Sequence, residues 1–181
     1  MTDSHGVGLV RGINVGASTK VSKTDLVAAF EGAGLGAVTT LLQSGNVVFD
    51  IAQPLDALVA SRVEAGLARR SGVSARVLLL EEGEFRRIAA ENPLLGVADD
   101  FSKLVVTFVG GEISDELAAP SADGLAPEVV QLGRRAVYQW CPLGVSKSQL
   151  KPAFWRGLGG VMTGRNWRTV LRILEELDTR A

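Results

Sequence analysis

Short runs of consecutive apolar residues alternate along this chain with stretches whose apolar positions recur every three or four residues. The first pattern marks buried strands and the second amphipathic helices. Val7–Val10 predicts a strand that runs into the loop Arg11-Gly12-Ile13-Asn14-Val15-Gly16. Ser22, with Asp25 three residues on, predicts a capped helix start. Leu26, Val27, Phe30 and Ala33 follow at helical spacing, and Gly34 suits a left-handed stop. Ala37–Leu42 and Val47–Ile51 predict a hairpin closed by Gln43-Ser44-Gly45-Asn46. Pro54 fits a first helical position, ahead of a stripe of Leu55, Leu58, Val59, Val63 and Leu67 that Gly72 closes. Ala75–Leu80 predicts another strand, and Glu82–Glu91 a short helix on Phe85, Ile88 and Ala89, ended at Asn92-Pro93.

The order to this point, β-α-β-β-α-β, is the split β-α-β plan: two helices on one face of a four-stranded antiparallel sheet. The second half partly repeats it. Leu104–Val109 predicts a strand, Ser114–Ala119 at best a short helix, and Val129–Leu132 with Ala136–Trp140 a hairpin around Gly133-Arg134. Pro152 interrupts any helix over Ser146–Trp155. A last helix starts near Asn166 and carries Trp167, Val170, Leu171, Leu174 and Leu177. The expected fold is α+β, with two ferredoxin-like subdomains of antiparallel sheets over residues 1–95 and 96–181 and a boundary near 92–100.

Composition changes this picture little. Hydrophobic residues at 46% and charged residues at 22% of 181 are those of a globular chain, which sets disorder aside. A single cysteine, Cys141, excludes an internal disulfide and a multi-cysteine zinc site. No run reaches the ~18 apolar residues of a membrane span, and Met1–Ser4 lacks the basic start of a signal peptide. A cytoplasmic location is the expectation. The net charge of −1 opposes bulk coating of nucleic acid. Its distribution is uneven: residues 1–80 hold 7 basic and 6 acidic side chains, 81–130 hold 3 and 11, and 131–181 hold 9 and 3. The acidic middle and basic end either neutralise each other or leave a basic face for an anionic partner.

The familiar chemical signatures fail on spacing. Gly12 to Gly16 is G-x-x-x-G, which is neither the dinucleotide fingerprint nor a phosphate-binding P-loop. A tight turn, with Gly12 and Gly16 in unusual dihedrals and Asn14 bonding its own backbone, accounts for the same residues. Ser44 lies in a glycine turn without the G-x-S-x-G elbow, and His5, the only histidine, lies in a mobile N-terminal tail on this reading. Cys141 has no adjacent cation to activate it. Glu81-Glu82, Asp99-Asp100 and Glu175-Glu176 read as solvated pairs. No metal and no cofactor is expected.

Three segments together, Leu9-Val10-Arg11-Gly12-Ile13-Asn14-Val15-Gly16, Gln43-Ser44-Gly45-Asn46-Val47-Val48-Phe49 and Thr163-Gly164-Arg165-Asn166-Trp167-Arg168-Thr169, resemble the bacterial domain-of-unknown-function family numbered 1697. Their order and spacing match it from about Val7 to Leu177. The resemblance implies a two-subdomain, ferredoxin-like α+β fold and no particular activity. The chain departs from the family pattern at Ala17, where a second glycine is usual. It departs again at Ser148-Gln149-Leu150, where Ser-Lys-Leu is usual and Lys147 stands on the other side.

The polar members of these segments, Arg11, Asn14, Gln43, Ser44, Asn46, Arg165 and Asn166, are the candidate site: a pocket between the halves for a small anion bearing phosphate or carboxylate. Arg165, just before a helix that Asn166 caps, would add a bidentate grip to the free N–H groups there, with Arg168 and Arg172 on the same helix face. The competing reading makes Arg165 a structural ion pair to the acidic middle. Two other classes stay open. One is RNA binding on the strand aromatics Phe49, Phe108, Tyr138 and Trp140, which equally fit a core. The other is an interaction module or homodimer using free sheet edges.

Overall fold

The computed structural model describes residues 4–180. Its strands form two four-stranded sheets, and by compactness the chain divides into Met1–Arg86 with Arg172–Ala181, and Arg87–Leu171. The expected boundary near 92–100 thus lies a few residues past the first break, and the last ten residues go with the first sheet.

The first unit contains β1 (Ser4–Arg11), α1 (Lys23–Gly32), β2 (Gly36–Leu41), β3 (Asn46–Ile51), α2 (Ala57–Ser71) and β4 (Arg76–Glu81). The sheet order is β2-β3-β1-β4 with every neighbour antiparallel. Each helical crossover therefore skips one strand, which is the ferredoxin-like arrangement. Local chemistry sets the helix ends. Ser22 Oγ accepts from Asp25 N at 3.0 Å and donates to Asp25 Oδ2 at 2.8 Å. Asp56 Oδ1 accepts from Leu58 N and Val59 N, both at 2.9 Å, and Gly72, at φ 71°, ends α2. The helix-side core holds Phe30, Phe49, Val63 and Leu67, with the two rings 5.7 Å apart. Phe30 packs close against β1 because position 8 has no side chain: a Cβ there would stand 2.4 Å from its ring.

The second unit contains β5 (Leu104–Val109), β6 (Val129–Leu132), β7 (Ala136–Trp140), α4 (Pro152–Leu158) and β8 (Met162–Asn166). Its order, β6-β7-β5-β8, repeats that of the first sheet. The β5–β6 crossover has only a 3-10 turn at Ala122–Gly124 in place of the first helix. Two further helices, α3 (Glu82–Ala90) and α5 (Trp167–Asp178), run across the breaks between the units. Among the described residues no helix is long and apolar enough to cross a membrane.

Several expectations need correction. The second helix starts at Ala57 because Asp56, not Pro54, provides the cap, and Leu58 then falls on the exposed face. Pro152 opens α4 at its first position, where its missing N–H costs nothing. No helix forms over Ser114–Ala119. The second hairpin turns on Arg134-Arg135, since Gly133 N already bonds Ala136 O at 2.8 Å. In α5 the buried positions are Trp167, Val170, Ile173 and Leu177, while Leu171 is partly exposed. His5 is not in a loose tail. It sits buried in β1 with Nδ1 3.0 Å from Asp50 Oδ1 and Nε2 3.2 Å from Arg180 O.

Candidate functional site

The end of β1 and the first hairpin turn are locked together backbone to backbone. Val10 N donates to Gly45 O at 2.8 Å. Gly45, at φ 72°, has room only for hydrogen, because a Cβ would stand 2.9 Å from Val10 O. Asn14 then ties the loop to the same turn and to the start of α1. Its Nδ2 donates to Gln43 O at 2.7 Å and its Oδ1 accepts from Val21 N at 3.0 Å. The loop also closes on itself, since Asn14 N donates to Thr19 O at 2.7 Å and Val15 N to Thr19 Oγ1 at 3.0 Å. So Asn14 bonds across the loop as well as within it, and takes a left-handed φ of 55° to do so. Gly12 is left-handed too, whereas Gly16, at φ 164°, is merely extended. Asn46 is fully buried and donates to Leu41 O at 3.2 Å and Ser44 Oγ at 2.9 Å, fixing the hairpin turn from inside.

These links leave a cavity of about 1020 Å³ at this end of the first unit. Asn14 and Gln43, from the first two sequence segments, line it together with Lys20, Lys23, Ser22 and Asp25 around the start of α1. Val21, Leu26, Thr40 and Leu42 complete most of its wall. The two lysines escaped the sequence reading. Nothing in the sequence marks them, since they lie outside the three segments, beside the capping Ser22, where lysines ordinarily face water. Leu42 is left-handed at φ 58° and 55% exposed. Arg11 ends β1 on the exposed side, in register with Arg76 of β4, whose Nε lies 3.4 Å from Glu64 Oε1.

Arg165 and Asn166 belong to the second unit. Arg165 lies on β8, paired with Val106, so it does not share a helix face with Arg168 and Arg172. Its Nη1 donates to Thr163 Oγ1 at 2.7 Å and Gly164 O at 2.8 Å, and burial draws its pKa down to about 10. Arg168 pairs with Asp100 at 3.3 Å and Arg172 with Glu175 at 2.7 Å. Asn166 caps α5 as expected: its Oδ1 accepts from Thr169 N at 2.9 Å. The strand aromatics Phe49, Phe108, Tyr138 and Trp140 are all buried, which leaves them no face for stacking bases.

The model of a family described as proteins of unknown function, DUF1697, matches residues 4–138. The chain belongs to this family. A similar fold is seen in the solved structure of the conserved bacterial protein SP0830 from Streptococcus pneumoniae, 23% identical, with a TM-score of 0.69 over 96% of this chain and 98% of that one. That likeness concerns the fold. No curated protein matches the chain.

In this DUF1697 member the segment that departs from the family pattern is held by a buried carboxylate. Glu128 accepts from Ser148 Oγ and Gln149 N, each at 2.8 Å, and from Gln139 Nε2. These three neutral donors replace the water the carboxylate loses on burial. Ser148 is thereby a fastener of the chain, and the Gln149 side chain stays outside, near Lys147 O at 3.3 Å. Cys141, 2% exposed, has its thiol pushed up to about 12 by burial and secondarily by Glu128, the opposite of an activated nucleophile.

Proposed function

We propose that this DUF1697 protein is a binding protein for a small anion, held in the cavity at the end of the first unit by Lys20, Lys23, Asn14 and Gln43. The observation that supports the reading is the convergence of the first two sequence segments with two lysines around one space. Lysine ammonium groups serve phosphates and carboxylates as compact point charges, and side-chain amides add oriented donors. The cytoplasm is the compartment we assign to it, in keeping with the one buried thiol.

Thermal unfolding with rising inorganic phosphate, on the natural chain and on Lys20→Ala/Lys23→Ala, tests the reading. A hundredfold excess over Kd adds about 2.7 kcal/mol, or about 5–10 °C in Tm for a chain of this size. The double variant is expected to melt like the natural chain without phosphate, since both lysines are exposed, and to lose most of the shift with it. Equal shifts in both proteins, or none from phosphate, sulfate and acetate alike, would refute the proposal.

A further inference from the structure

We infer that the ligand of this cavity is an amphiphilic anion: a phosphate or carboxylate on an apolar body of about nucleotide size, seated against Leu42. The inference rests on the anion reading and narrows it. A cavity of about 1020 Å³ is far more than an inorganic oxyanion fills, and stands at the upper end of what whole small molecules occupy. Its wall is also two-sided. Lys20, Lys23, Asn14 and Gln43 contribute charge and hydrogen bonds, whereas Val21, Leu26 and Leu42 contribute hydrocarbon.

Leu42 carries the inference furthest. A leucine at φ 58° holds a conformation that glycine or asparagine takes freely and a bulky side chain takes at a cost. Burial of the side chain does not offset that cost, because Leu42 is 55% exposed and lines the cavity rather than the core. Strained residues cluster at ligand-binding sites, whereas Ala37, also at positive φ, sits in the register shift of β2 between Gly36 and Thr39. Asn14, also left-handed among the non-glycine residues, lines the same cavity. An apolar ligand body covering Leu42 would remove from water the hydrocarbon surface that the fold leaves exposed.

Titration calorimetry on the full chain distinguishes the levels of this inference. The probes are inorganic phosphate, phenyl phosphate, adenosine 5′-monophosphate and benzoate, each with the natural chain and with Leu42→Asn. Phenyl phosphate and the nucleotide are expected to bind the natural chain at least about tenfold tighter than inorganic phosphate, as covering part of a leucine implies. Leu42→Asn should leave phosphate affinity unchanged and erase that advantage, with a Tm no lower than that of the natural chain because asparagine accepts the backbone conformation. Leu42→Gly should behave alike. Benzoate binding more tightly than phenyl phosphate would assign the head group to carboxylate, and the reverse to phosphate. Inorganic phosphate binding as tightly as phenyl phosphate, or an advantage that survives Leu42→Asn, would overturn this inference and leave the anion reading standing. Absence of binding by every anion would overturn both.

Discussion

Replacing Asn14 by glycine and by alanine separates the two things this residue contributes. Both variants lose the donation to Gln43 O at 2.7 Å and the acceptance from Val21 N at 3.0 Å. Two hydrogen bonds at a partly solvated site are worth about 1–2 kcal/mol together. Glycine is at ease at φ 55° but adds about 0.5–1 kcal/mol of backbone entropy lost on folding. Alanine avoids that entropy but must hold a Cβ in the left-handed region, at about 1–2 kcal/mol. The sums are about 2 kcal/mol for Asn14→Gly and about 3 for Asn14→Ala, or roughly 4–8 °C and 6–12 °C in Tm. Urea denaturation gives the totals, and amide hydrogen exchange at Val21 gives the local readout, because that N–H loses its acceptor in both variants. An alanine variant no less stable than the glycine variant would refute the strain argument. Unchanged protection at Val21 would refute the hydrogen-bond argument.

Other expected outcomes follow from single contacts. Native Cys141 should resist a thiol reagent at pH 8 and react fully in guanidinium. Because its pKa is raised from 9.0 to about 12, the folded chain keeps a proton that the unfolded chain loses. Its contribution to stability is therefore complete below about pH 9 and declines as pH rises toward the folded value, and Cys141→Ala should flatten that decline in denaturation curves taken between pH 9 and 11. Tyr138→Phe removes a buried hydroxyl that donates to Ile88 O at 2.7 Å near the end of α3, so it should cost about 1–3 kcal/mol in urea unfolding. A cost near zero would mean that water replaces the hydroxyl there.

The strands and helices of the first unit were legible because each is bounded by a residue with one local job: Ser22 as cap, Gly72 as left-handed stop, Gly45 in the turn. Strand β8 was not legible. Met162-Thr163-Gly164-Arg165-Asn166 has no apolar alternation. It is a strand because it is an edge paired with β5, where backbone hydrogen bonds do what side chains do not. Without such alternation, the spacing of Arg165, Arg168 and Arg172 predicts a helix end instead. Pro152 was read as an interruption because a proline near the middle of a polar stretch looks the same whether it breaks a helix or opens one. Asn14 and Gln43 stand out in the sequence as polar turn residues, and both line one cavity. Lys20 and Lys23 carry no sequence signal because lysines near a cap ordinarily face water, and only three-dimensional closure of the loop brings them to the cavity wall. His5 was misjudged because proximity to a chain end says nothing of the partners a strand brings beside it.

The bond from His5 to the Arg180 carbonyl has a consequence for manufacture as well as for packing. Arg180 also donates to Asp50 Oδ1 at 3.0 Å, Ala37 O at 2.8 Å and Thr39 Oγ1 at 2.6 Å, so a residue near the end of the polypeptide fills a notch in strands made at its beginning. On a ribosome adding about 5–20 residues per second, the first sheet must wait many seconds for this piece, while the second unit is complete beforehand.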